Sequence, residues 1–169
     1  MKKVLFAIAA VLFLITFLSS CLTSNYDSPD PTYEQEQAIL KSYIDTLIAN
    51  DRDVDTTDLG VYYVVLEEGV GETAKTGDTL TVGYSGYFVD GTLFDSSKNI
   101  NNEGTYEFIL GVPNFISGWN DALRIMNKGS KMQFVIPSDL AYGSRGQGTI
   151  PPYTTLVFVI KMVDIKPSN

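Results

Sequence analysis

Histidine is absent from this 169-residue chain, and cysteine occurs once, at Cys21. Those two shortages remove histidine general-base triads, Cys-His nucleophiles, most zinc sites and CxxC redox chemistry. No GxxxxGKS/T or GxGxxG loop is present to cradle a nucleotide. Basic residues are also few: 12 Lys and Arg face 20 Asp and Glu, for a formal net charge of −8, and −10 once Lys2 and Lys3 are set aside. Nucleic acid is therefore not an expected partner, because phosphate binding needs clustered cations. The surplus acid reads as solubility. No internal repeat or low-complexity tract occurs. The expectation is a protein with no cofactor and no metal, working through carboxylates, hydroxyls, Lys, Tyr or the shape of an apolar pocket.

Hydrophobic residues are plentiful at 44%, and ten Tyr and nine Phe suit an aromatic-lined β fold better than a helical bundle. The first twenty residues read as an address. A positive start, Met1-Lys2-Lys3, precedes an apolar run from Val4 to Leu18, then small residues and Cys21. This is the layout of a secretory signal. The run falls short of the roughly 20 residues that cross a bilayer. Leu18-Ser19-Ser20-Cys21 resembles the bacterial lipobox, which implies an acylated Cys21 at the mature N-terminus and attachment to a membrane through lipid. Leu22 stands where an Asp often retains such lipoproteins in the inner membrane, so an outer membrane facing the periplasm is favoured if the source is Gram-negative.

Residues 21–32 are rich in Ser, Asn, Asp and Pro and read as a tether. Thr32 and Gln35 have capping-box spacing. Residues 33–50 then repeat Ile39, Leu40, Tyr43, Ile44, Leu47 and Ile48 on one helical face, about 27 Å long. That stripe has two candidate partners, the domain that follows or a second copy in a homodimer. Residues 33–54 are assigned to this helix and an acidic linker, and 55–166 to a domain.

Within the domain, residues 59–66, 78–90, 105–110, 131–136 and 155–165 are strand-like. Asp90-Gly91 signals a turn. Residues 119–128 form a short amphipathic helix that Gly129 closes. Five to six strands and one internal helix, without a βαβ rhythm, predict an α+β fold: a twisted antiparallel β-sheet wrapped around a short α-helix, preceded by an N-terminal helix.

Three stretches carry a resemblance. They are Val82-Gly83-Tyr84-Ser85-Gly86 with Asp90-Gly91-Thr92-Leu93-Phe94-Asp95; Phe108-Ile109-Leu110-Gly111 with Ile116-Ser117-Gly118-Trp119 and Met126-Asn127-Lys128-Gly129; and Ile136-Pro137 with Leu140-Ala141-Tyr142-Gly143, Ile150-Pro151-Pro152 and Leu156-Val157-Phe158. In this order the chain resembles the FKBP-type peptidyl-prolyl cis-trans isomerases from Leu59 to Ile165. The resemblance implies an apolar pocket lined by Tyr84, Phe94, Asp95, Ile116, Trp119, Tyr142, Ile150 and Phe158, completed by Tyr106, Phe108 and Phe115, with Trp119 as floor. It casts Tyr84, Phe94, Asp95, Tyr142 and Phe158 as catalytic and the rest as substrate-binding. By pattern alone, Phe94, Trp119 and Phe158 read as core aromatics, Tyr84 and Tyr142 as half-buried, and Asp95 as a turn residue, and only the resemblance assigns them to a site. Phe115, Thr149 and the Asn-rich segment 98–104 depart from the family's usual residues and bear on substrate preference.

What the resemblance implies is rotation about X-Pro bonds of proline-containing polypeptide clients outside the cytoplasm. Amide resonance sets that barrier at about 18–20 kcal/mol. An aromatic pocket lowers it by stripping water from the planar amide and holding the ring while the bond turns. The alternatives are a membrane-tethered peptide-binding chaperone with little turnover, and a hydrolase built on Asp90 and Asp95.

Overall fold

The structure, a computed structural model, describes residues 31–168. The expected signal segment, Cys21 and nearly all of the tether lie outside the described residues. Helix α1 (Tyr33–Ala49) opens on the capping box read from the sequence: Thr32 Oγ1 accepts the Gln35 N–H at 3.3 Å, and Gln35 Oε1 accepts the Thr32 N–H at 2.8 Å. These two bonds satisfy backbone donors that a helix start otherwise leaves free.

The strands follow as β1 (Asp55–Thr56), β2 (Tyr62–Glu67), β3 (Val70–Thr73), β4 (Thr79–Phe88), β5 (Leu93–Ser96) and β6 (Tyr106–Ile109). After α2 (Ser117–Arg124) come β7 (Asn127–Lys128), β8 (Lys131–Ile136) and β9 (Leu156–Lys166). Seven strands make one antiparallel sheet in the order β1-β2-β8-β9-β4-β5, with β6 sharing the same edge of β4 as β5. The pairing of β4 with β9 runs the whole length of β4, from Thr79 against Lys166 to Phe88 against Leu156. Strands β3 and β7 form a separate two-stranded ribbon.

The two-residue alternation of the strands sorts their side chains onto two faces. One face sends Leu80, Val82, Met132, Phe134, Ile136, Leu156, Phe158, Ile160 and Met162 against Trp119, Ala122 and Leu123 of α2. The opposite face sends Val135 and Val157 against Leu40, with Tyr43, Ile44 and Leu47 of α1 packed beside them. Thus α1 packs Leu40, Tyr43, Ile44 and Leu47 on this sheet, and Tyr33, Ile39 and Ile48 are its exposed large apolar residues. Among the described residues no helix is long and apolar enough to cross a membrane.

The internal helix departs from its sequence reading. It starts two residues earlier, at Ser117, and its C-cap is Ile125 rather than Gly129. Asn127 and Lys128 leave it to pair with β3 as β7. Gly129, at φ +85°, instead makes the tight turn into β8, where a side chain would be strained.

Candidate active site

The site lies where β4, β5 and β9 meet the start of α2. A cavity of about 480 Å³ opens there, within the usual size of ligand pockets. Eight of the eleven expected pocket residues line it: Tyr84, Asp95, Tyr106, Phe115, Ile116, Trp119, Tyr142 and Phe158. Pro113, Asn114, Ser117 and Ala141 complete the wall. Phe94, Phe108 and Ile150 stand outside this lining. Phe94 packs behind Phe158, ring centroids 5.6 Å apart, and against Phe88 at 5.1 Å. Phe108 backs Phe115 at 4.6 Å, and Ile150 is buried in the core.

Trp119 forms the floor because α2 presents it inward at 4% exposure. Tyr84 and Phe158 meet it edge-on at 5.2 and 5.1 Å, and Phe115 lies nearly parallel at 6.1 Å. Such contacts fix ring planes as well as burying area. The Trp119 Nε1–H is buried with no hydrogen-bond partner among the described residues.

One polar pair faces this aromatic wall. The Tyr84 hydroxyl donates to Asp95 Oδ2 at 2.8 Å, and the Ser96 N–H donates to Asp95 Oδ1 at 2.7 Å. Burial, reinforced by the Asp95 carboxylate, holds the Tyr84 hydroxyl far above the ordinary phenol range. Burial and then Asp95 also raise Tyr142. Both hydroxyls therefore stay protonated and able to donate at neutral pH. Just beyond this pair, Ser97 ties the end of β5 to β4 and to the segment before β6: its Oγ accepts the Tyr84 N–H at 2.9 Å and donates to the Gly104 carbonyl at 2.6 Å. Asp90 is not part of the cavity wall; it is exposed and accepts the Thr92 N–H at 2.8 Å in the turn. A hydrolase built on Asp90 and Asp95 thus has only one of its carboxylates in the cavity. Among the described residues no three metal-ligating side chains cluster.

Gly86 is a site residue that the sequence reading passed over. A Cβ there would come within 2.7 Å of Phe94 Cζ and 2.9 Å of Phe158 Cε1. The bare backbone of β4 is what lets these two rings close up. The signal was present in Val82-Gly83-Tyr84-Ser85-Gly86, where glycine recurs inside a strand.

Comparison with known proteins decides the family. Residues 71–163 match the family model described as FKBP-type peptidyl-prolyl cis-trans isomerase. The chain belongs to that family. The isomerase FkpA of Escherichia coli K12 is 38% identical over 120 residues, covering 71% of this chain and 43% of that protein. A probable FKBP-type isomerase of Haemophilus influenzae is 39% identical over 122 residues, 72% of this chain and 49% of the relative. The crystal structure of E. coli FkpA superposes with a TM-score of 0.70 at 37% identity, covering 81% of this chain and 62% of that one. A Pseudomonas syringae isomerase structure gives 0.63 at 33% identity, covering 78% and 96%. The matched stretch spans about half, or less, of these curated FKBP-type relatives.

Proposed function

We propose that the chain is a lipid-anchored peptidyl-prolyl isomerase acting on X-Pro bonds of polypeptides outside the cytoplasm. In this reading residues 1–20 are a signal, Cys21 carries the acyl chains, 21–32 are a tether, 33–54 a helix and linker, and 55–166 the isomerase domain. The observation that carries it is the aromatic cavity over Trp119 with the Asp95–Tyr84 pair in its wall. A Legionella longbeachae relative, 38% identical over 108 residues, bears the name outer membrane protein MIP, which supports an envelope location.

The chemistry needs no nucleophile. A planar X-Pro amide owes its stiffness to resonance that charges the carbonyl oxygen, and water stabilises that form. With the prolyl ring against Trp119, Tyr84 and Phe158, the amide loses this water and the planar form its advantage. The Ile116 N–H at the start of α2 holds the peptide. Asp95 and the Tyr142 hydroxyl orient the twisted amide.

The test is turnover of short X-Pro peptides by the full chain. Asp95→Ala and Phe94→Ala are each expected to lower kcat/KM at least about tenfold, equivalent to about 1.4 kcal/mol. Phe94 would act through Phe158, against which it packs. Unchanged rates in both variants would remove the pocket assignment. Absence of turnover by a folded parent over a broad set of X residues would favour a tethered peptide-binding chaperone.

A further inference from the structure

One residue on the sheet-facing side of α1 does not match its neighbours. That face runs back from Leu47, Ile44, Tyr43 and Leu40 to Glu36, one turn below Leu40, and Glu36 is only 1% exposed. A carboxylate withdrawn from water is costly unless donors surround it. Three converge here. Oε1 accepts the Ser138 N–H at 2.6 Å and the Thr155 hydroxyl at 2.9 Å, and Oε2 accepts the Ser138 hydroxyl. The first turn of α1 adds the positive end of its dipole.

Ser138 and Thr155 are the two feet of one loop. Strand β8 ends at Ile136 and β9 begins at Leu156, so residues 137–155 leave the sheet together and bring Ala141 and Tyr142 to the cavity wall. From the first foot the path to the wall is short and bonded. Leu140 N–H donates to the Pro137 carbonyl at 3.0 Å, and Ala141 N–H to the Ser138 carbonyl at 2.8 Å. Further along, Tyr153 N–H donates to the Gly143 carbonyl at 2.9 Å, and its ring meets Tyr33 of α1 edge-on at 6.2 Å. Helix α1 precedes the family-matched residues 71–163, yet it touches this loop at residues 138, 153 and 155.

We propose that Glu36 is a positioning residue of the isomerase site, clamping both feet of loop 137–155 and so fixing where Ala141 and Tyr142 stand on the cavity wall. The inference rests on the isomerase reading above. Loops that carry functional groups are usually mobile, and a misplacement of about 1 Å is enough to slow a positioned reaction severely. The clamp removes that freedom from outside the sheet.

The experiment measures kcat and KM on X-Pro peptides, with amide hydrogen exchange, for the full chain and for Glu36→Ala, Glu36→Gln and Thr155→Val. Glu36→Ala is expected to lower kcat/KM about fivefold to tenfold, mainly in kcat. It should also speed exchange at Leu140, Ala141 and Tyr153 while the amides of β8 and β9 keep parental rates. Glu36→Gln keeps an acceptor for the Ser138 N–H and should return to within about twofold of the parent. Thr155→Val should move in the same direction as Glu36→Ala by a smaller factor. In a Tyr142→Phe background Glu36→Ala should cost less than in the parent, because the hydroxyl it positions is gone. An active parent whose Glu36→Ala and Thr155→Val variants keep parental kcat/KM and loop exchange overturns the inference and leaves the isomerase reading standing. A folded parent without turnover overturns both. If Glu36→Ala does not fold, Thr155→Val, which removes one hydrogen bond and keeps the side chain's shape, decides alone.

Discussion

Gly86 and Tyr84 share a strand and set the site in opposite ways, one by lacking a side chain and the other by what its side chain bonds. Gly86→Ala drives a methyl group into the rings of Phe94 and Phe158, and core overpacking of this kind costs about 1–3 kcal/mol. Chemical denaturation should report that loss, together with reduced turnover; an unchanged midpoint would mean that the rings have room to spare. Tyr84 leads to a pH prediction. Its phenol is raised from 10.0 by burial and by Asp95, and Tyr142 is raised in the same direction. The unfolded chain therefore ionises these groups first as pH climbs. The stability they contribute is complete below about pH 10 and drains above it. Melting temperatures should hold up to about pH 10 and fall as pH rises beyond it. Tyr84→Phe should lose less over that window, and an equal loss would place the titration elsewhere.

At the scale of elements, α1 is held to the sheet by a small apolar patch centred on Leu40, which is 6% exposed. Leu40→Ala should cost about 2–5 kcal/mol by denaturant unfolding. A negligible cost would show that the patch contributes little to stability. The extent of this helix, its capping box and its apolar stripe were legible in Thr32, Gln35 and the spacing of Leu40, Tyr43, Ile44 and Leu47. Its partner was not, because periodicity states that a face is buried and not against what. Glu36 escaped notice because acids in a first turn, here Glu34 and Glu36, are ordinary on a surface. The long strands β4, β8 and β9 were legible from alternation. Four-residue β6 was legible from the turn residues Gly111 and Pro113 that end it; β1, β3, β5 and β7, two to four residues each, were not, and β7 takes up residues read as the end of α2. Most of the cavity wall came from motif resemblance. What motifs could not give was depth, which places Phe94 and Phe108 behind the wall and not on it.

For the whole molecule, the anchoring proposal makes a simple demand on cell fractions. The parent should follow the membrane, and Cys21→Ser should release it to the soluble envelope fraction with its turnover intact. Retention of the variant at the membrane would point to attachment through something other than lipid. The sheet also has an order of assembly built into it. Strand β9, the last of the described strands, lies between β8 and β4 and bonds to both. A growing polypeptide that lacks residues 156–166 has two disconnected halves of a sheet and lacks Phe158 from the cavity wall. Closure must wait for the final strand and for contacts distant in sequence, which slows folding. Until then the chain stays pliable, the condition in which a polypeptide can pass lengthwise through a narrow pore.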